Sequence, residues 1–86
     1  MKAQNYLNQN YPQEQRQNIE ELSIVRHGLT GTLKLERFTN LKKLNFFGNQ
    51  ITKLEIVGSP DLEVIICNNN RLAELNVQSC PNLKII

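Results

Sequence analysis

Residues 41–51 read LKKLNFFGNQI and residues 62–72 read LEVIICNNNRL, so one pattern of apolar residues recurs after a fixed interval. Working outward from this pair, the chain divides into units at residues 19–40, 41–61 and 62–82, a partial unit at 83–86, and a preceding segment at 1–18. A short fixed period indicates supersecondary units that stack on one another. The sequence therefore predicts a stack of coils over residues 19–86 and a cap over residues 1–18.

Aligning the units places the apolar residues in seven columns. The first four columns are Ile19/Leu41/Leu62/Leu83, Leu22/Leu44/Ile65/Ile86, Ile24/Phe46/Cys67 and Leu29/Ile51/Leu72. The other three are Leu33/Leu54/Leu75, Leu35/Ile56/Val77 and Phe38/Ser59/Cys80, with one extra residue of the first unit between Leu29 and Leu33. Columns in register predict one continuous core, because a unit this small buries its apolar face only against a neighbour.

The pattern LxxLxLxxNxL, present as LKKLNFFGNQI and LEVIICNNNRL, resembles the leucine-rich repeat. The second halves, ITKLEIVGSPD at 51–61 and LAELNVQSCPN at 72–82, resemble the short nested class of 21-residue repeats. This resemblance implies an α/β-type, right-handed leucine-rich-repeat solenoid that is rich in β-strand, with parallel strands stacked one per coil and a short N-terminal capping helix. Residues 6–22, YLNQNYPQEQRQNIEEL, also resemble the segment before nested repeats in some fungal proteins, certain of which carry a kinase domain elsewhere.

Polarity alternates in both halves of each unit. In residues 43–47 the side chains of Leu44 and Phe46 are expected to point inward, and the residues between them outward. The second half repeats the alternation with Leu54 and Ile56. We therefore expect two extended segments per unit, where longer leucine-rich repeats have a helix in the second half.

The segment before the repeats is rich in Gln and Asn but carries a short apolar stripe. The stripe consists of Ala3, Tyr6, Leu7 and Tyr11, at helical spacing. It predicts a short helix that closes the first end of the stack and ends before Pro12, because proline disrupts a helix interior.

The polar column His27, Asn49 and Asn70 occupies the position of the asparagine ladder in the family that the repeats resemble. A side-chain amide there satisfies backbone groups in the turn, so we expect a structural ladder. The alternative for His27, a catalytic base or a metal ligand, needs a nucleophile or a second ligand nearby, and its repeat neighbour is an asparagine.

The two cysteines, Cys67 and Cys80, lie in inward columns and are expected to be buried, reduced thiols rather than a disulfide. Burial in apolar surroundings makes a thiol inert. The kinase motifs GxGxxG, HRD and DFG are absent from the sequence. We therefore predict a non-enzyme with no catalytic residues, no cofactor site and no metal site.

Composition excludes several classes of partner. The 86 residues carry a net charge of +2 with the basic residues dispersed, which argues against nucleic acid. No apolar run approaches the roughly 20 residues needed to cross a bilayer, and Met1 is not followed by the apolar core of a signal peptide. The prediction is a cytoplasmic protein with a protein partner and no membrane.

The outward positions of the first strands are the best candidate for a binding face. Their columns read Glu21/Lys43/Val64/Ile85, Ser23/Asn45/Ile66 and Val25/Phe47/Asn68. Phe47, Val64 and Ile66 cluster on adjacent strands, and contiguous exposed apolar area marks interfaces. The predicted partner-binding residues are Lys43, Asn45, Phe47, Val64, Ile66 and Asn68. The open alternative is that the N-terminal segment, or sequence outside this chain, covers this patch.

The predicted function is a non-catalytic protein-interaction module. Two alternatives remain: the N-terminal cap and first coils of a longer array, and the recognition arm of a kinase-type enzyme outside this chain. The sequence stops at Ile85 and Ile86 within a strand, so we also expect either a longer array or edge-to-edge self-association through that strand.

Overall fold

The structure, a computed structural model, describes residues 1–77 and 80–85. A helix α1 (Ala3–Asn10) and a 3-10 helix (Gln13–Asn18) precede the strands. The strands are β1 (Glu21–Ser23), β2 (Thr30–Glu36), β3 (Lys43–Asn45), β4 (Gln50–Val57), β5 (Val64–Ile66), β6 (Glu74–Val77) and β7 (Lys84–Ile85).

The strands form two parallel sheets, in the orders β1-β3-β5-β7 and β2-β4-β6. We call them the first sheet and the second sheet. Each coil gives one strand to each sheet, so the predicted β-rich solenoid with a short N-terminal helix is confirmed. The pairs Leu22–Leu44 and Leu44–Ile65 in the first sheet, and Leu33–Leu54 in the second, follow the predicted columns.

The core lies between the two sheets. Its middle coil is the best covered: Leu44, Phe46 and Leu54 are fully buried. Burial of such side chains stabilises the fold by about 25 cal/mol per Å² of apolar area removed from water. Because an inner coil has neighbours on both sides, each inward side chain there fills a gap between two others.

The third coil departs from the prediction of full burial. Leu75, expected to point into the core below Leu54, is 43% exposed. Within the described residues, strand β6, which carries Leu75, has a neighbouring strand on one side only. For the same reason the side chains of the following five residues are half-buried while packing against the core: Cys67, Leu72, Val77, Cys80 and Leu83.

The register of the last strand also differs from the predicted columns. Val64 pairs with Lys84 and Ile65 with Ile85, one residue earlier than expected. The hydrogen bond from the backbone N–H of Lys84 to the carbonyl of Glu63 (2.7 Å) repeats the bond from Glu63 N–H to the Lys42 carbonyl one coil earlier, so it does not cause the shift, which is seen in the strand pairing itself. Ile85 therefore does not lie beside Val64 in the outward row, and Lys84 takes its place. The predicted inward residue Ile86 lies outside the described residues.

Three turns share one backbone feature. Arg26, Gly48 and Asn69 occupy equivalent positions, and their φ angles of 56°, 77° and 59° are all in the left-handed region. Glycine and asparagine tolerate this region best, so the arginine at this position is unusual. The register between β2 and β4 changes between Gly31 and Thr32, which pair with Ile51 and Lys53, so Thr52 of β4 has no register partner on β2.

The N-terminal segment covers the outer edge of β2. Ala3 and Leu7 of α1 are fully buried. The side-chain oxygen of Gln4 accepts a 2.7 Å hydrogen bond from the backbone N–H of Lys34, and Thr30 N–H donates to the carbonyl of Met1. An edge strand exposes unpaired backbone groups, and these contacts satisfy two of them.

Candidate functional site

The turns that follow the first-sheet strands are held by Asn49, which is 5% exposed. Its side-chain oxygen accepts hydrogen bonds from the backbone N–H groups of His27 (3.1 Å) and Leu29 (3.0 Å). Its side-chain nitrogen donates to the carbonyls of Ile24 (2.8 Å) and Phe46 (2.9 Å). One amide thus satisfies four backbone groups in two coils, which ties the coils together.

Asn70 repeats this arrangement one coil later. Its oxygen accepts from the N–H of Ile51 over 3.0 Å, and its nitrogen donates to the carbonyls of Phe46 (2.9 Å) and Cys67 (3.1 Å). Each amide reaches back to the coil before it. The two asparagines therefore fix the loops that carry Phe47 and Asn68, at the border of the first sheet.

The side chain of His27 does not belong to the asparagine ladder that its column predicted. Its side chain is exposed, and its ring centroid lies 5.0 Å from that of Tyr6 in α1. Among the described residues its imidazole makes no ladder hydrogen bond, and it is the backbone of His27 that joins the ladder. The physical reason is that α1, not another coil, precedes the first coil, so the ladder starts at Asn49.

A second ladder runs along the opposite turn. The hydroxyl of the buried Ser59 donates to the carbonyl of Phe38 over 2.8 Å, and the Cys80 thiol donates to the carbonyl of Ser59 over 3.4 Å. The column Phe38/Ser59/Cys80 was expected to be apolar. A serine in an otherwise apolar column was the available signal, because a buried hydroxyl needs a partner.

Arg16 extends this column into the cap, and sequence reasoning missed it. The turn bond from Leu41 N–H to the Phe38 carbonyl recurs from Ile19 N–H to the Arg16 carbonyl. Arg16 therefore stands where a preceding coil would place its member of the column. The string RQNI at 16–19, beside FTNL at 38–41, was the signal.

The Arg16 side chain is 2% exposed and locks the cap to the first coil. Its guanidinium donates to the Tyr11 carbonyl (2.8 Å), the Asn8 side-chain oxygen (3.0 Å) and the Glu36 carbonyl (3.3 Å). Its carbon Cζ also lies 5.1 Å from the centroid of the Phe38 ring. Burial lowers the Arg16 pKa from its ordinary value, yet the three neutral acceptors satisfy the cation.

The six predicted binding residues all lie on or directly after strands β3 and β5. We call their surface the first-sheet face. Lys43 and Asn68 are exposed, whereas Asn45, Phe47, Val64 and Ile66 are half-buried. Lys43 is paired with Val64 and Asn45 with Ile66 in the sheet register. A shallow cleft of about 120 Å³ lies beside them between β1 and β3.

The apolar part of this face is partly covered by Arg26. The Arg26 guanidinium carbon lies 5.2 Å from the centroid of the Phe47 ring, and Arg26 N–H donates to the Phe47 carbonyl over 2.9 Å. The arginine stem passes over Gly48, where an added Cβ would lie 2.8 Å from Arg26 Cγ. By contrast, α1 packs against β2 of the second sheet. Among the described residues, Phe47 is thus covered by Arg26 of the first coil and not by the N-terminal segment.

Charges are arranged differently on the two sheets. On the second sheet Lys34 pairs with Glu36 (3.0 Å), and Lys53 pairs with both Glu55 (3.2 Å) and Glu74 (3.5 Å). Hydrogen bonding between the first two raises the pKa of Lys34 and lowers that of Glu36. Lys34 and Glu55 are paired in the sheet register, but the close partner of Lys34 is Glu36 on its own strand.

On the first sheet, by contrast, the exposed charges Glu21, Lys43 and Lys84 belong to no ion pair within the described chain. Arg26, beside them, is likewise exposed and engaged only with the Phe47 ring and backbone. Charges left unpaired by the protein itself remain available to another molecule.

The two cysteine thiols are poor nucleophiles in this fold. Burial raises the pKa of the Cys67 and Cys80 thiols, which suppresses the nucleophilic thiolate. No group of three metal-ligating side chains is found there. No helix among residues 1–77 and 80–85 has the length and apolarity needed to cross a membrane.

The fold and the two ladders define a class, a β-solenoid built from short repeated coils. Comparison with known families gives the family: a model described as leucine-rich repeats in two copies matches residues 39–79. Residues 39–79 therefore consist of leucine-rich repeats. No curated protein and no solved structure matches the chain. The resemblance of residues 6–22 to fungal kinase-associated segments stays a prediction.

Proposed function

We propose that this chain is a non-catalytic protein-interaction module that binds a protein partner in the cytoplasm through the first-sheet face. The observation that carries the proposal is the contrast between the two sheets. The second sheet neutralises its own charges, whereas the first combines unpaired charges with the half-buried apolar residues Phe47, Val64 and Ile66. Leucine-rich repeats in general mediate protein interactions, in line with this proposal.

The support beneath this face favours a rigid binding surface. Asn49 and Asn70 fix the turns behind it, and β3 and β5 pair in one register. A surface that is ordered before binding loses little conformational entropy on association, which favours affinity. Aromatic and arginine side chains are also the residue types that dominate interface energetics, and Phe47 and Arg26 lie together here.

The test is selection of binders from a protein and peptide display library against the intact chain. Phe47→Asp and Ile66→Asp should each weaken binding by at least about 30-fold, the size of an interface hot spot. The matched control is Val57→Asp, because Val57 is 54% exposed on the second sheet. A further variant, Lys43→Glu, changes an exposed residue of the face without touching the core.

Thermal unfolding of each variant separates loss of binding from loss of fold. Unchanged affinity in folded Phe47→Asp, Ile66→Asp and Lys43→Glu variants would overturn the site. A strong loss in Val57→Asp alone would move the site to the second sheet.

A second candidate function has one observation in its favour. Leu75 of the third coil occupies an inward position yet is 43% exposed, and Ile85 of β7, in the partial unit that follows, is also 43% exposed. These side chains favour a further protein surface packed on that coil, either a following coil of a longer array or a second copy that pairs along the edge strands. Light scattering over a range of concentrations tests the second copy, and a constant monomer mass would exclude it.

A further inference from the structure

We propose that Arg26 is a carboxylate-binding anchor on the first-sheet face, and that the bound partner presents an acidic protein segment to it. This inference rests on the proposed function and names the chemistry of the partner. It starts from the position of Arg26, whose equivalents in the next two coils are Gly48 and Asn69. An arginine at a left-handed position costs conformational energy that glycine avoids.

The Arg26 side chain lies against two residues of the second coil. Its stem lies over Gly48, where a Cβ would be 2.8 Å from Arg26 Cγ, and its guanidinium carbon lies over the Phe47 ring, 5.2 Å from the centroid. The side chain is exposed, so its N–H donors remain accessible to a second partner. Those donors match the two oxygens of a carboxylate.

The lysines of the second sheet differ from Arg26 in their ion pairing. There Lys34 and Lys53 each have a carboxylate partner within 3.2 Å. Arg26 has no such partner in the described chain, although Glu21 lies on the same sheet. The fully buried arginine, Arg16, is satisfied by three oxygen acceptors instead. Arg26 thus contacts the second coil and is open to a carboxylate.

The neighbouring charges select an acidic partner. In the observed register the outward row across the first sheet reads Glu21, Lys43, Val64 and Lys84, because Lys84 rather than Ile85 lies beside Val64. With Arg26 the face therefore presents three cations and one anion. Adjacent strands lie about 4.8 Å apart, so the two lysines are about 10 Å apart on either side of Val64. An extended segment with carboxylates flanking an apolar side chain is complementary to this row.

The experiment uses a random peptide library displayed on phage and selected against the full chain. The selected binders should be enriched in Asp and Glu, and their affinity should fall as salt is raised, because exposed charge pairs are screened. Arg26→Gln should weaken these binders by about tenfold or more, the effect of one charge-assisted bidentate contact. Arg26→Lys should not restore them, since lysine lacks the planar fork.

The matched control is Arg37→Gln, because Arg37 is also an exposed arginine at a left-handed position (φ 69°) but belongs to the opposite turn. Its binding should equal that of the unaltered chain. Neutral or basic binders that are lost in Phe47→Asp would overturn the acidic partner while supporting the proposed function. Acidic binders unaffected by Arg26→Gln, or fully retained in Arg26→Lys, would overturn the anchor. Failure to select any binder to the first-sheet face would overturn the proposed function itself.

Discussion

The hydroxyl of Ser59 donates a hydrogen bond to the backbone carbonyl of Phe38, one coil earlier, over 2.8 Å. The thiol of Cys80 repeats the contact on the carbonyl of Ser59. Opposite them, Asn49 and Asn70 join the same coils through amides. Each coil is therefore fastened to its predecessor at both turns by one short polar side chain, and the sheets between the turns keep their register.

Removing the Ser59 hydroxyl should destabilise the protein. Ser59→Ala removes this donor in a fully buried site, while the Phe38 carbonyl keeps its bond from Leu41 N–H, and the loss of one such hydrogen bond costs about 0.5 to 1.5 kcal/mol. Ser59→Cys should lose less, because Cys80 occupies the same column and makes the same contact. Urea unfolding measures both, with the exposed Ser23→Ala as the control. Equal stability of Ser59→Ala and Ser23→Ala would refute the second ladder.

Asn49 and His27 share a column but should respond differently to substitution. Asn49→Ala removes four hydrogen bonds at a buried site and should lower the free energy of unfolding by at least about 2 kcal/mol. His27→Ala removes an exposed ring that contacts Tyr6, and should cost less than about 1 kcal/mol. Chemical denaturation of the two variants measures both losses in the free energy of unfolding. A larger loss for His27→Ala would restore His27 as the first member of the ladder.

Arg16 should hold the N-terminal cap in place. Arg16→Ala removes donors to Asn8, Tyr11 and Glu36 and should destabilise the fold by about 3 kcal/mol. Arg16→Lys should rescue it only in part, because an ammonium cannot present the same planar set of donors. Hydrogen exchange should show the amides of α1 losing protection first. Arg37→Ala is the exposed control, and protection of α1 equal to that in this control would contradict the role of Arg16.

The two thiols should make the fold sensitive to alkali. Burial raises the pKa of Cys67 and Cys80, so the folded chain keeps their protons to a higher pH than the unfolded chain does. This contribution to stability is complete below the unfolded pKa of about 8.5 and is lost as the pH rises toward the folded values. Urea unfolding at neutral pH and at about pH 10 measures the loss.

The control for the thiols is the double variant Cys67→Ala and Cys80→Ala, which retains the lysines. Lys34 and Lys53 have pKa values raised by hydrogen bonds to Glu36 and Glu55, so they give an alkaline loss of the same sign. The double variant should therefore lose less stability on going to alkaline pH than the unaltered chain. An identical loss in both would show that the thiols contribute nothing.

The repeat period was enough to predict the core. Pairs such as Leu44–Ile65 and Leu33–Leu54 follow from it because a slip by one residue would turn a whole strand inside out. The register of Lys84 did not follow. Strand β7 has two residues, and an alternation this short is too weak a pattern to fix the register of a strand.

The candidate site was only partly predictable. The positions of Phe47, Val64 and Ile66 on adjacent strands follow from alternation within each unit. Arg26 over Phe47 does not, since the pairing depends on a left-handed backbone and on the missing side chain of Gly48. Arg16 escaped notice because its acceptors include two backbone carbonyls, and sequence patterns do not reveal backbone acceptors that tertiary folding brings together.

The most direct test of the central claim is the footprint of a selected partner on the folded chain, mapped by chemical-shift changes in heteronuclear NMR. The largest changes are expected along β3 and β5 and in the turns after them, at Arg26, Phe47 and Asn68 in particular. Residues of the second sheet, such as Val57, should be unaffected. Changes confined to β2, β4 and β6, with the first sheet unperturbed, would contradict the assignment of the binding face.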